Sequence, residues 1–298
     1  VLYLAHGFSA RTTTALVGTL FGLALVAVLG SVSVSVARLA GLTTDDRVTG
    51  NPPAPLKANG GSISLTAYNA DLQAGSVLDV SGGYVMTSGG TGKYGNGGSI
   101  SIKAGQDATV AQVLGGSLAL GSTLKGYSGA KGGTLSVQAG HVQIGGSTAD
   151  PGTLLLQPEF FNQGGFGTFN IAGLGGGSAP ALLVAENTEV APVVKSFRVI
   201  PNTPGNVSLE VVEEVAGVRQ AVSLNLSAPG VGGRGSSIAF VRGDAVLGEG
   251  SVIRTDAGGS VSVTGHTVAV HGSIIAPGGS IHVAGPGKTT ELNGSAAQ

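Results

Sequence analysis

Residues 250–265 read Gly-Ser-Val-Ile-Arg-Thr-Asp-Ala-Gly-Gly-Ser-Val-Ser-Val-Thr-Gly. Two short runs of β-forming residues, Ser251-Val252-Ile253 and Ser260-Val261-Ser262-Val263-Thr264, flank a turn that contains Gly258-Gly259. The phrase recurs: GSVLDVSGG begins at Gly75, GSTLKGYSGAKGGTLSV at Gly121 and GSIIAPGGSIHV at Gly272. Each copy is one structural unit that cannot bury its apolar face alone, so the repeat is read before anything else.

Six segments fit Gly-Gly-[Ser/Thr]-apolar-x-apolar or come close to it. They are GGSISLTA at Gly60, GGSISIKA at Gly97, GGSLALGS at Gly115, GGTLSVQA at Gly132, GGSVSVTG at Gly258 and GGSIHVAG at Gly278. Successive starts differ by 37, 18, 17, 126 and 20 residues, the first gap being about two of the shorter steps. A period of roughly 17–20 residues is too short for a helical repeat and fits one coil of a β-solenoid. Side-chain parity agrees. Ile63 and Leu65 share one face of their run, while Ser62, Ser64 and Thr66 share the other. Ile281 and Val283 likewise oppose His282. Stacked coils would place Ile, Val and Leu in ladders inside and Ser and Thr outside. Each glycine pair would supply a corner free to take positive φ.

Composition suits this all-β reading. Glycine accounts for 54 of 298 residues, and only 10% are charged, against about 25% in ordinary globular chains. Hydrophobic content of 42% is too high for a solvated disordered chain. The formal net charge of −1 offers no basic stripe for phosphates, and there is no Trp, so nucleic acid is not an expected partner. The absence of Cys removes disulfides, thiolate metal sites and Cys nucleophiles together.

The chain divides by composition. Residues 1–41 form an apolar segment. Residues 12–37 carry no charge and are flanked by Arg11 and Arg38. Ala15–Leu29 is long enough for a signal h-region or a short membrane span, so an N-terminal apolar helix with membrane contact is one reading. Alternation in Ser31-Val32-Ser33-Val34-Ser35-Val36 favours buried β structure instead, and a reading-frame artefact at the start of a fragment is the third reading. Residues 42–59 form a linker in which Pro52, Pro53 and Pro55 disfavour helix and central strand. Solenoid coils are expected over 60–185 and 231–285. Between them, 186–230 is an irregular insert with a β-hairpin, in which 207–215 and 218–226 join at Ala216-Gly217 and place Glu214 opposite Arg219. Residues 286–298 form a polar tail.

The search for chemistry returns no catalytic, cofactor-binding or metal-ligating set. His6, His141, His266, His271 and His282 make no HExxH or HxH pattern and are expected at exposed or corner positions. Asp45-Asp46 and Glu213-Glu214 are adjacent and therefore face apart in an extended chain. The 15 basic and 16 acidic residues look dilute and unclustered. No GxSxG elbow is present, and 173–178 fails GxGxxG at its last position. Asn206, Asn225 and Asn293 each open an N-x-S sequon. Four of the eight Phe lie in PEFFNQGGFGTFNI, residues 158–171, which reads as an aromatic patch in the core or, less simply, as a ligand platform.

Three segments carry a family resemblance: GGSISLTAYNADLQAGSVLDVSGGYV (60–85), LLLQPEFFNQGGFGTFNI (154–171) and RGDAVLGEGSVIRTDAGGSVSVTG (242–265). Across about 42–285 the chain resembles the filamentous-haemagglutinin-like exoproteins of Gram-negative bacteria. More narrowly, it resembles a C-terminal-side domain of unknown function within them. The resemblance implies a right-handed parallel β-helix, export by two-partner secretion through an outer-membrane β-barrel transporter, and an adhesin at the cell surface or released from it. Its receptor, on a host or bacterial surface, would be a protein or glycan. The family's secretion domain with Asn-Pro-Asn motifs is not found here, and the apolar start departs from the family pattern, so an internal or truncated piece is expected. Two other functions compete with the adhesin: a carbohydrate lyase or hydrolase on the same scaffold, and a solenoid held at a membrane through Ala15–Leu29.

Overall fold

A computed structural model of the chain describes residues 42–43, 58–86, 92–110, 113–201, 207–232 and 240–285. The apolar segment 1–41 with Ala15–Leu29, most of the linker 42–59 and the tail 286–298 lie outside the described residues. Among the described residues the structure is all-β with mainly parallel sheets, an arrangement consistent with a β-solenoid. The helical exception is the 3-10 turn Pro158–Asn162.

One sheet runs the length of the stack. Its seven parallel strands are Ser62–Thr66, Ser99–Lys103, Gly133–Ala139, Phe166–Gly173, Ser223–Ala228, Ser260–Gly265 and Ser280–Ala284. Ile63, Ile100, Leu135, Phe169, Leu224, Val261 and Ile281 stand in register as one inward ladder. Leu65, Ile102, Val137, Ile171, Leu226, Val263 and Val283 form a second. From the second rung to the sixth, every member of both ladders is at most 1% exposed. The alternate positions turn outward and are short and polar. There Asn225 Nδ2 donates to Asn170 Oδ1 (2.8 Å), and Asn170 Nδ2 donates to Ser136 Oγ (2.9 Å).

Every full coil but the third repeats three strands in one order. After the long sheet comes a strand of a second face. This face includes a five-stranded sheet of Thr153–Leu156, His141–Ile144, Leu182–Val184, Asp244–Leu247 and Thr267–Val270. A third strand follows, in one of two three-stranded sheets. The first joins Leu42–Thr43, Val77–Asp79 and Thr123–Lys125, and the second joins Glu189–Val190, Val252–Arg254 and Ser273–Ile275. Leu42–Thr43, placed in the linker by composition, is thus a rung against Val77–Asp79.

The repeat length needs correction. The 37-residue step from Gly60 to Gly97 is one coil lengthened by the hairpin of Tyr84–Met86 and Gly92–Tyr94, not two coils. The GGSLALGS segment belongs to another face, where Leu118–Leu120 pairs with Ala70–Leu72. The Gly-Gly-Ser phrase marks any corner that leads into a strand, so its spacing alone does not count coils. Only the step from Val261 to Ile281, 20 residues (281 − 261), is a bare turn of the stack.

The glycine pairs work in two ways. Gly258 and Gly278 take positive φ, +85° and +60°. Gly60 and Gly98 do not: a Cβ on Gly60 would lie 1.9 Å from Val80 O, and one on Gly98 would lie 2.0 Å from Gly61 O. There glycine is required because neighbouring coils bring backbone against backbone.

The third coil carries the 3-10 turn at the level of the third face. Gly126 N donates to Gly164 O on one side (2.7 Å), and Val193 N donates to Asn162 Oδ1 on the other (3.0 Å). Its rings fill the core. Phe161 meets Phe160 at 5.4 Å and Phe169 at 5.2 Å, and Phe166 meets Phe169 at 6.0 Å. Phe161, Phe166 and Phe169 are buried and Phe160 is half-buried against them, so the aromatic segment is core.

The expected hairpin at Ala216-Gly217 does not form. Val207–Val212 pairs antiparallel with Ser196–Pro201 upstream, and Ser223–Ala228 is a central rung of the long sheet. Burial decides between the two pairings. Val222, Leu224, Leu226 and Ala228 are at most 1% exposed, whereas Val211, Val215 and Val218 stand out in solvent. Completing the core outweighs a two-residue turn between neighbouring runs.

Truncating a ladder residue should therefore cost far more than truncating its outward neighbour. Leu224→Ala is expected to lower unfolding free energy by about 2–5 kcal/mol. Ser262→Ala should stay within about 0.5 kcal/mol. Urea unfolding followed by circular dichroism measures both.

Candidate functional site

The hairpin of Ser196–Pro201 and Val207–Val212 leaves the stack between the fourth and fifth rungs of the long sheet and leans on its shoulder. Phe197 stacks on Tyr127 with ring centroids 5.2 Å apart at 31°. Phe197 N donates to Ser128 O (3.0 Å), and Val199 N donates to Tyr94 Oη (3.0 Å). Beneath it, Gly132 N donates to Gln220 Oε1 (2.8 Å). A cleft of about 460 Å³ lies between hairpin and stack, lined by Tyr94, Phe197, Arg198, Glu214, Arg219 and Gln220 among others.

Five charged residues converge here. Arg219 grips Asp256 with a two-pronged fork, Nε to Oδ2 at 2.5 Å and Nη2 to Oδ1 at 2.9 Å, and its Nη1 reaches Glu213 Oε1 at 3.1 Å. The Arg219 and Asp256 side chains are only 16% and 12% exposed. The hydrogen bonds that Arg219 donates to Asp256 hold its guanidinium above its ordinary pKa, against the opposing effect of burial. Arg198 pairs with Glu214 in the open. The charges are thus clustered, not dilute, and Glu214 meets Arg198 instead of Arg219. The coiled path brings Asp256 beside a bend 37 residues earlier, a proximity with no signal in local spacing. Planar donors and acceptors beside aromatic rings equip the cleft for hydrogen-bonded recognition of a polar ligand.

A shallower groove of about 860 Å³ crosses the second face, with Gln143, Leu183, Glu186, Val246, Glu249 and His271 in its lining. Glu186, Glu249 and His271 follow successive rungs of that face, at the same corner of the stack. Among the described residues, no three His, Asp or Glu side chains are placed to hold a metal ion.

The remaining sequence candidates among the described residues do not line the cleft under the hairpin. His141 Nδ1 contacts Pro180 O (3.0 Å). His266 and His271 stand at opposite ends of the strand Thr267–Val270, not on its two faces, and His266 packs edge-on against Phe240 at 4.8 Å. His282 lies on the last rung. Asn225 is half-buried in the outward ladder. His6, Asn206 and Asn293 lie outside the described residues.

Residues 1–51 match the family model described as YibE/F-like protein. That stretch includes Ala15–Leu29 and the rung Leu42–Thr43, is 51 of 298 residues, and ends before the first strand of the long sheet. Searches of the curated proteins and of the solved structures found no match. Among the described residues no helix is long and apolar enough to cross a membrane.

The two ion pairs should differ in weight. Asp256→Ala leaves Arg219 partly buried with only Glu213, and is expected to cost about 3 kcal/mol. Arg198→Ala should cost less than about 1 kcal/mol. Paired urea titrations compare them. Burial also raises the Tyr127 pKa, partly offset by a backbone hydrogen bond from Gly164. The folded state thus favours the neutral phenol. That stability is complete below about pH 10 and is lost as pH rises through the folded value. An ultraviolet titration should show one late-ionising tyrosine that Tyr127→Phe removes.

Proposed function

We propose that residues 42–285 form a non-enzymatic, right-handed parallel β-helix segment of a large bacterial surface adhesin, acting as stalk and adhesive face. The observation that carries this reading is the pair of unbroken seven-rung ladders. They make a stiff rod whose length grows with each coil and whose outward face is lined by Ser, Thr and Asn. The right hand accords with the general preference for right-handed crossovers between parallel strands of one sheet. Solenoids of this kind bind through broad lateral surfaces, and the hairpin shoulder is the projecting, charge-bearing part of this one. The resemblance to filamentous-haemagglutinin-like exoproteins supports a location outside the cell, export through a two-partner-secretion transporter of the outer membrane, and a host or bacterial surface protein or glycan as receptor. Cells displaying the chain should lose adhesion when residues 60–285 are deleted; adhesion equal to that of the parent would overturn the proposal.

A second reading, a solenoid held at a membrane through Ala15–Leu29, draws on the charge-free run 12–37. Membrane fractionation after truncation to Arg38 onward tests it. Retention of the truncated chain in the membrane would exclude that run as the anchor.

A further inference from the structure

The cleft under the hairpin is charged, but its charges are already matched. Both arginines in its lining are engaged: Arg198 pairs with Glu214, and Arg219 is held by Asp256 and Glu213. A phosphate, sulfate or carboxylate would have to displace one of these carboxylates, and three carboxylates to two arginines leave a negative excess that repels it. What the cleft retains is directed hydrogen bonding. A guanidinium has five N–H donors. Arg198 sends Nη2 to Glu214 and keeps 56% of its side chain in solvent. Gln220 Oε1 accepts the Gly132 amide (2.8 Å), which orients the side-chain amide and leaves Nε2 as a donor with no acceptor among the described residues. A Cβ on Gly167 would lie 2.2 Å from that nitrogen, so glycine is what lets the amide rest there. Tyr94 supplies an apolar wall. A Cβ on Gly129 would lie 2.4, 2.5 and 2.6 Å from its Cδ1, Cγ and Cε1, which puts the Gly129 backbone against the face of the ring and not its edge. With Oη accepting the Val199 amide, the ring is clamped between stack and hairpin.

We propose that this cleft binds a short, uncharged stretch of a surface glycan, with a sugar ring against Tyr94 and its hydroxyls bonded to Arg198, Gln220 and Glu214. A pyranose has the matching chemistry. One of its faces is C–H and apolar, and the negative π face of an aromatic ring attracts it. Its rim carries hydroxyls that each donate and accept, as the mixed donors and acceptors of the cleft require. The volume of about 460 Å³ lies within the range of about 300–1,000 Å³ for small-ligand sites, which suits a short glycan stretch and not a folded domain. The polar groups are also held in place before any ligand arrives. The Arg219–Asp256 fork, the Gln220–Gly132 bond, the Tyr94–Val199 bond and the Phe197–Tyr127 stack fix the hairpin on the shoulder, so less side-chain freedom is lost on binding. That the sugar belongs to a surface glycan rests on the adhesive-face reading, whereas the chemistry of the cleft stands by itself.

Calorimetric titration of the full chain with linear tetrasaccharides of glucose, galactose, mannose and N-acetylglucosamine tests this, with heparin as the anionic comparison. At least one neutral probe should bind, and its affinity should change less than about twofold between about 0.1 M and 1 M salt, since no ion pair is formed. Arg198→Ala should weaken that binding at least tenfold with an unchanged circular dichroism melt. Arg198→Lys, which keeps the charge and loses the planar fork, should weaken it too. Binding of none of the neutral probes would overturn the proposal. So would binding that survives Arg198→Ala, or heparin binding more tightly than every neutral probe. Adhesion of cells displaying the chain separates the two readings. If no sugar binds while deletion of residues 60–285 abolishes adhesion, the cleft assignment falls and the adhesive face stands. If a sugar binds at the cleft while the deletion leaves adhesion unchanged, the adhesive face falls and the cleft assignment stands.

Discussion

Everything in this chain depends on the register of one parallel sheet. A single coil cannot enclose its own apolar side chains. It becomes stable only when the next coil sets Ile, Leu or Val directly on top of its own. The ladders through Ile100 and Ile102, with the same spacing on every rung, meet that condition at each level they cross. A slip of one residue would turn both ladders outward and bring the Ser, Thr and Asn positions into the core. The two interior columns and the outer Ser136–Asn170–Asn225 hydrogen-bond chain are thus consequences of one alignment.

That alignment leaves the corners free to vary, and the distinctive features sit there. The hairpin of Tyr84–Met86 and Gly92–Tyr94 and the hairpin of Ser196–Pro201 and Val207–Val212 both leave the stack after a third-face strand and before the next rung of the long sheet. They meet, because Tyr94 of the first hairpin accepts the Val199 amide of the second. Insertions at the same corner share one side of the stack, so hairpins of the first and fourth coils can meet. Charges follow the same logic. Arg219 on the way into the fifth rung finds Asp256 on the way into the sixth, and a chain poor in charge acquires a compact ionic cluster.

The third coil shows how much deviation the stack tolerates. A 3-10 turn stands at the level of a third-face strand, held by backbone and side-chain hydrogen bonds to the levels on either side. The large Phe161, Phe166 and Phe169 rings fill the volume behind it. Proline at the start of that turn lacks a backbone N–H, which suits a segment that does not pair as a strand.

The amino-acid sequence by itself determined the all-β stacked-coil character and the identity of the inward residues. Alternation over five or six residues and glycine at the corners are local physical signals, visible at Ile63-Ser64-Leu65 as at Val261-Ser262-Val263. It did not determine how many residues make a coil, because the Gly-Gly-Ser phrase opens strands on more than one face and hairpins lengthen the path between rungs. Nor did it determine the partner of Val207–Val212 or of Arg219. Two neighbouring β runs with a glycine between them satisfy local turn preferences. Only the stack reveals that Leu224 and Leu226 are needed in the core and that Asp256 arrives beside Arg219. Pairing across coils is a long-range choice, made by the total apolar surface removed from water, and tertiary structure alone decides it.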